Sequence, residues 1–277
     1  MGRLIARVRP RREVRDDEVA AMYRLYAAYY DAVSHARFAA DLAGKDYVIE
    51  LVDGPALRGF STLALIDYAS SAGPSSALFS GDTIIDRDYW GEQALSQAFC
   101  RFAGAVKAQR PRTPLFWFLI SKGYRTYRYL AVFAREYFPN PHRATPAHIQ
   151  AAIDQLAHMR FGAAYCAQRG LIRFAESRGH LKPQWAAIRE SVRDRAEVRF
   201  FLERNPGYHM GEELCCVALL EADNLRSYAR KAFLEGLQDE RATCIVPEHG
   251  RGIEALSPLA FAGPDRPRAQ APEPTRA

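Results

Sequence analysis

The chain has 277 residues, 48% apolar and 25% charged, enough for one large or two small packed domains and ordinary for a soluble globular protein. Its net charge of +6 and pI near 9.1 suit an anionic ligand, but an Arg-rich composition alone produces them, so a nucleic-acid partner is permitted rather than indicated. Five cysteines without CxxC spacing, seven histidines without an HxH or HxxxH pair, and no GxSxG or P-loop run count against disulfide, metal, hydrolase and NTPase readings.

Residues 1–15 form a basic lead-in that ends in a first strand. The start, MGRLIARVRPRR, lacks an apolar signal core, and no apolar run approaches membrane-span length, so a cytoplasmic protein with reduced thiols is expected. From Asp16, acidic residues precede Val19, Met22, Tyr23, Tyr26, Tyr30 and Val33 at helical spacing. A short second helix or a loop spans His35–Leu42. Tyr47–Val52 and Leu57–Ile66 flank Asp53-Gly54-Pro55 and read as a hairpin. Tyr68–Ser76 is expected to be a loop, Ala77–Ile85 a third strand, and Trp90–Lys107 an amphipathic helix. FWFLI, after Pro111 and Pro114, reads as a strand buried on both faces. An aromatic, basic run beginning at Ser121 is expected to be a loop and a helix. Long helical stretches are expected at Pro146–Ser177 and Pro183–Glu203, then a late strand at Glu213–Leu220 and a helix at Asp223–Leu237. Residues 250–277, rich in Pro, Gly, Arg and Ala, are expected to be disordered.

The run DTIIDRDYWGEQAL, Asp82 to Leu95, leads an apolar strand through a glycine-bearing turn into a helix. A helix N-terminus exposes unpaired N–H groups and a positive dipole end, so such a join can hold a phosphate. With a hairpin before it and an apolar strand after its helix, the first half of the chain resembles the GCN5-related N-acetyltransferase (GNAT) superfamily. The resemblance implies an α+β fold: a mixed, mostly antiparallel sheet flanked by helices. It divides the chain into a core at 1–140, a helical elaboration with a late strand at 141–249, and the tail at 250–277.

The resemblance further implies an acyl-thioester donor, acyl-CoA or acyl-carrier protein, with no permanently bound cofactor. Strand backbone at Thr83, Ile84 and Ile85 would pair with the pantetheine arm. Arg87, Trp90, Gly91, Glu92, Gln93 and Ala94 would surround the phosphates, although Arg87 and Gly91 stand one residue further apart than the superfamily's loop has them. A carboxylate in mid-strand is unusual, so Asp82 either points outward or acts as the general base. Tyr124, Tyr127 and Tyr129 all fall where the superfamily places its general acid, and the spacing favours Tyr127. Lys122, Arg125 and Arg128 are a basic run that meets an anion or is simply solvated. Phe161, Tyr165, Leu171, Phe174, Trp185, Phe200 and Phe201 either line an extended acceptor or acyl-chain site or pack the elaboration. Together these imply an N-acyltransferase, with a medium or long acyl chain favoured over acetyl. The acceptor would be an amine of a small metabolite, an amino acid or a peptide side chain. The alternatives are a fold of this kind that binds without catalysis and a basic protein that binds nucleic acid or another partner.

Overall fold

The computed structural model describes residues 4–70 and 73–239, so the expected tail at 250–277 lies outside the described residues. The chain opens with β1 (Ile5–Pro10) and α1 (Asp16–Tyr29). Asp16, Asp17 and Glu18 stand in the first turn of α1, where carboxylates complement the exposed amides, and Glu18 accepts the Arg15 backbone N–H at 2.8 Å. A two-residue β2 (Tyr30–Asp31) ends the helix earlier than its apolar spacing suggests. The next helix, α2 (His35–Ala43), is capped by the Ser34 hydroxyl, which accepts from the Arg37 N–H. The hairpin is β3 (Tyr47–Asp53) and β4 (Ala56–Ser70), turning at Gly54 with φ +58°.

The expected loop at Tyr68–Ser76 is instead strand. Ser70 pairs with Gly73, Tyr68 with Ser75 and Asp67 with Ser76, so β4 and β5 (Gly73–Ile85) form one long hairpin. Ser76 and Arg110 both hydrogen-bond to Asp67, which compensates for the weak strand propensity of these small residues. The helix expected from Trp90 begins only at Ala94 as α3 (Ala94–Gln109), because Gly91 has φ +103°. Then come β6 (Leu115–Ser121) and α4 (Tyr124–Phe133).

Beyond it the chain is less helical than expected. The first expected stretch holds α5 (Ala147–Phe161), β7 (Tyr165–Cys166) and β8 (Leu171–Ile172), with Gly162 and Gly170 at positive φ breaking any longer helix. After β9 (His180–Leu181), the second divides into α6 (Pro183–Ala186), α7 (Glu190–Arg193) and α8 (Ala196–Arg204), separated by extended residues at Ala187, Arg189 and Arg195. The late strand β10 (Glu213–Leu219) and α9 (Ser227–Leu237) form as expected.

The main sheet runs β1-β3-β4-β5-β6-β10-β8-β7, antiparallel throughout except for the parallel pair β5–β6, while β2 and β9 pair separately. This is the mixed, mostly antiparallel sheet flanked by helices that the sequence leads one to expect, with strands from both parts of the chain in one sheet. On one face, α3, α4, α8 and α9 bury Leu63, Leu78, Trp117 and Leu119. On the other, α1 and α2 cover Val48, Phe60 and Ile84, while α5 covers Phe79 and Phe118. Among the described residues, no helix is long and apolar enough to cross a membrane.

Candidate active site

β5 and β6 part company at one end. Their parallel ladder runs from Ser76–Leu115 to Ser80–Leu119 and stops there, leaving Thr83–Ile85 paired with β4 alone and Gly81 and Asp82 without a ladder partner among the described residues. On that other side the register slips: Ser61 faces Thr83, while Leu63 faces Ser80, so β5 carries one extra residue. A bulge of this kind bends a strand and re-aims its side chains. Here it reverses the alternation, so that Phe79 and Ile84, five positions apart, both lie on the face covered by α1, α2 and α5. Asp82 sits in the bulge.

A cavity of about 240 Å³ lies beside the parted strands. Thr83, Ile84 and Ile85 form one wall, and Gly123, Tyr124, Arg125, Thr126 and Tyr129 form another. Tyr29, Tyr30, Trp90, Gly91, Leu181, Trp185 and Ala186 complete it. The wall is strongly aromatic. Trp90 meets Trp185 edge-on with ring centres 5.5 Å apart, and the Arg125 guanidinium lies 5.2 Å from Trp90 and 4.8 Å from Tyr124. Arg125 also donates to the Trp185 carbonyl at 2.6 Å, fixing α6 against α4.

Of the residues expected to hold a donor, Thr83, Ile84, Ile85, Trp90 and Gly91 line this cavity. Arg87 is exposed, with its guanidinium 5.8 Å from the Trp185 ring and its backbone N–H donating to the Tyr29 hydroxyl at 2.7 Å. The amides of Trp90 and Glu92 are used within the turn, donating to the Arg87 and Tyr89 carbonyls. The Trp90 indole donates to the Ile85 carbonyl at 2.8 Å. Gln93 is the N-cap of α3 without a side-chain hydrogen bond, so the amides of the first helical turn, from Ala94 onward, are the ones without an intrahelical acceptor. Glu92 is exposed beside them.

Asp82 is half-buried and is not among the residues that line the cavity; it interacts instead with Tyr26 of α1 and Asp41 of α2. Its carboxyl group has no hydrogen bond or ion pair among the described residues. Burial, reinforced by the charge of Asp41, pushes its pKa up; Lys45, Lys122 and Arg160 pull the other way. Tyr26 and Tyr30 stack nearby at 4.5 Å, and burial together with Asp82 pushes both phenols above their usual range.

Tyr127 does not reach the cavity. It is fully buried between Phe200 and Phe201, its hydroxyl donates to the Pro139 carbonyl at 2.9 Å, and burial pushes its pKa far up. Its position four residues from Gly123 on an amphipathic helix turns it towards the core, whereas Tyr124, in the first turn, lines the cavity. Phe174 and Phe201 also lie elsewhere. Phe174 packs on Phe161 and under Arg178, and Phe201 belongs to the core around Tyr127. These two rings are consumed in packing, whereas Trp185, expected on the same surface, lines the cavity. His35 lies edge-on to Tyr23, away from the cavity lining.

The sequence reading missed Tyr29, the part played by Tyr30, and Glu213. Glu213 alone carried a signal, as a carboxylate opening an otherwise apolar strand.

No family model and no curated protein matches the sequence. Solved structures match it in part. A conserved Enterococcus faecalis protein described as a probable N-acyltransferase is 14% identical, with a TM-score of 0.36, over 48% of this chain and 33% of its own. An Escherichia coli GNAT family N-acetyltransferase in complex with CoA is 12% identical, with a TM-score of 0.33, over 48% of this chain and 69% of its own. A GCN5-related N-acetyltransferase from Kribbella flavida is 12% identical, with a TM-score of 0.33, over 58% of this chain and 45% of its own. The chain thus spans about a third of the Enterococcus protein's length.

Proposed function

We propose that the protein is a thioester-dependent N-acyltransferase whose reaction takes place where β5 and β6 part. One observation carries this reading: an unpaired, half-buried carboxyl group, Asp82, stands in a bulge beside a strand end that has backbone to spare and a cavity next to it. A phosphopantetheine arm is an extended amide chain, and it would pair with residues 81–85 as an added strand does. A backbone N–H of that segment would also receive the oxyanion.

Asp82 takes the proton from the acceptor ammonium, a task suited to a carboxylate whose pKa lies above its usual range. Tyr124 is the proton donor to the departing thiolate, in place of Tyr127. A thiol of pKa about 8.5 leaves readily, so this role is modest. The acyl group is short, since the cavity of about 240 Å³ is small and, of the rings expected to form a tunnel, Trp185 lines it while Phe174 and Phe201 are packed elsewhere. The acceptor amine enters on the side of Tyr26 and Tyr30.

The phosphate of the donor, CoA or a carrier protein, sits at the opening of α3 with Arg87 alongside. The spent amides of Trp90 and Glu92 make this grip narrower than a full loop would be. Calorimetry with CoA and acetyl-CoA tests it. Gly91→Glu forces a side chain into φ +103° and adds negative charge beside the phosphate, so donor binding should fall at least tenfold, with a smaller loss for Arg87→Ala. Unchanged affinity in a folded Gly91→Glu protein would remove the donor site from this loop.

A further inference from the structure

Three adjacent strands end in charge at one spot. Phe79, Phe118 and Cys215 share the sheet face that α5 covers. Alternation carries that face from Phe118 to Lys122, just past β6, and from Cys215 back to Glu213, while the bulge carries it to Asp82. The titratable groups that act on Asp82 or on its neighbours are Tyr26 of α1, Tyr30 of β2, Asp41 of α2, Lys45 just beyond α2, Arg160 of α5, Lys122 and Glu213, with Arg178 acting on Asp41 and Glu213. Most of these charges are already matched. Lys45 and Arg160 both pair with Asp41, the latter at 3.7 Å. Lys122 lies 3.4 Å from Glu213, with both side chains nearly enclosed at 12% and 8% exposure. The Lys122 ammonium also sits 5.6 Å from the centre of the Tyr30 ring. Only Asp82 is left without a partner.

We propose that the Lys122–Glu213 ion pair is a positioning element for Asp82, holding one ammonium at a fixed place beside it without letting that ammonium bond to it. This rests on the reading of Asp82 as the base. A base that is to accept a proton must be ionised when the amine arrives, and an enclosed carboxyl group with no cation beside it stays protonated. A base locked in its own ion pair is a poor acceptor. Glu213 resolves the conflict by claiming Lys122, which then acts on Asp82 only through space. Tyr30 limits where the ammonium can move, since leaving its ring face forfeits a cation–π contact.

The two partners should act in opposite directions. Lys122→Met removes one of the three cations that hold the Asp82 pKa down, leaving Lys45 and Arg160, and should raise it measurably. Glu213→Gln, of nearly the same shape, frees the ammonium for Asp82 and should lower it by a similar amount. Lys122→Arg keeps the charge and should restore most of the wild-type value. The titration is read by carbon NMR of the aspartate carboxyl groups in the full chain, with Asp82→Asn for assignment, and so needs no turnover. The acid limb of the acyl-transfer rate is then measured in the same variants. Opposite shifts in the single variants, with the Glu213→Gln effect much reduced in a Lys122→Met background, support the pair's role, whereas an equal effect in both backgrounds shows only the lost Glu213 charge and overturns it. Shifts in the same direction, or an unmoved titration in Glu213→Gln, overturn it. Opposite carboxyl shifts with an acid limb that does not follow them support the pairing and overturn instead the reading of Asp82 as base.

Discussion

An enclosed carboxyl group that lacks a partner works against the fold, and the sign follows from its shifted proton affinity. The folded pKa of Asp82 lies above that of an unfolded aspartate, about 3.9, so between these two values the folded state binds more protons. Stability from this group is complete below the unfolded pKa and is lost as pH rises through the folded one. Asp82→Asn should therefore stabilise the protein at neutral pH, by about 0.5–2 kcal/mol, with the gain vanishing below about pH 4. The same change should slow acyl transfer by about 10²–10⁴-fold. Thermal melts across pH and rates on the variant test both, and an asparagine protein no more stable at neutral pH than at acid pH would contradict the first. The tyrosines divide in the same way. Tyr124→Phe should reduce transfer while leaving the melting point near wild type. Tyr127→Phe should leave turnover alone and cost about 0.5–1.5 kcal/mol through the lost bond to Pro139. Asp82 was legible in the sequence because a carboxylate inside an apolar strand is conspicuous. Tyr124 and Tyr127 were not separable there, since both lie on the buried face of α4 and only the first-turn position of Tyr124 brings it to the cavity.

At the scale of elements, the hairpin, the late strand and the helix after the glycine-bearing turn were legible because alternation and turn residues are local. The bulge was not. It is one extra residue in β5, visible only against the register of β4, yet it aims Asp82. The helices after α4 were misjudged for a related reason: apolar residues there follow the sheet and the cavity rather than a helical face, as Leu171 in β8 and Trp185 in the cavity wall do. The contact between α3 and α9 was equally hidden. A Cβ added at Gly104 would run into the Phe233 carbonyl, and one added at Gly236 into the Arg101 carbonyl, so the two helices touch backbone to backbone. Gly104→Ala or Gly236→Ala should each destabilise by about 1–3 kcal/mol or more, despite the better helix propensity of alanine. Urea midpoints decide this, and a stabilised alanine variant would mean that the helices sit further apart.

Across the whole molecule, composition and element order were enough to indicate one mixed sheet, but not how the later segments join it. The expected boundary at residue 140 divides the chain by sequence. In space β10 lies between β6 and β8, and β9 pairs with β2 of the first part. Leu181 and Trp185 of the later part even help to wall the cavity. A chain stopped at Asn205 should therefore fail to fold, since β6 would keep an open apolar edge; circular dichroism and gel filtration would show it. A native, monomeric product would reveal an independent first domain instead. The place of β10 also matters on the ribosome. Synthesis is vectorial, and domains generally fold as their residues emerge. The strand that β6 needs as its neighbour is made only after α4, α5 and α8, so the nascent chain must carry a half-built sheet with a bare, hydrophobic edge until Leu219 clears the exit tunnel. During that interval the edge of β6 is the site where a chaperone or a second nascent chain would find it.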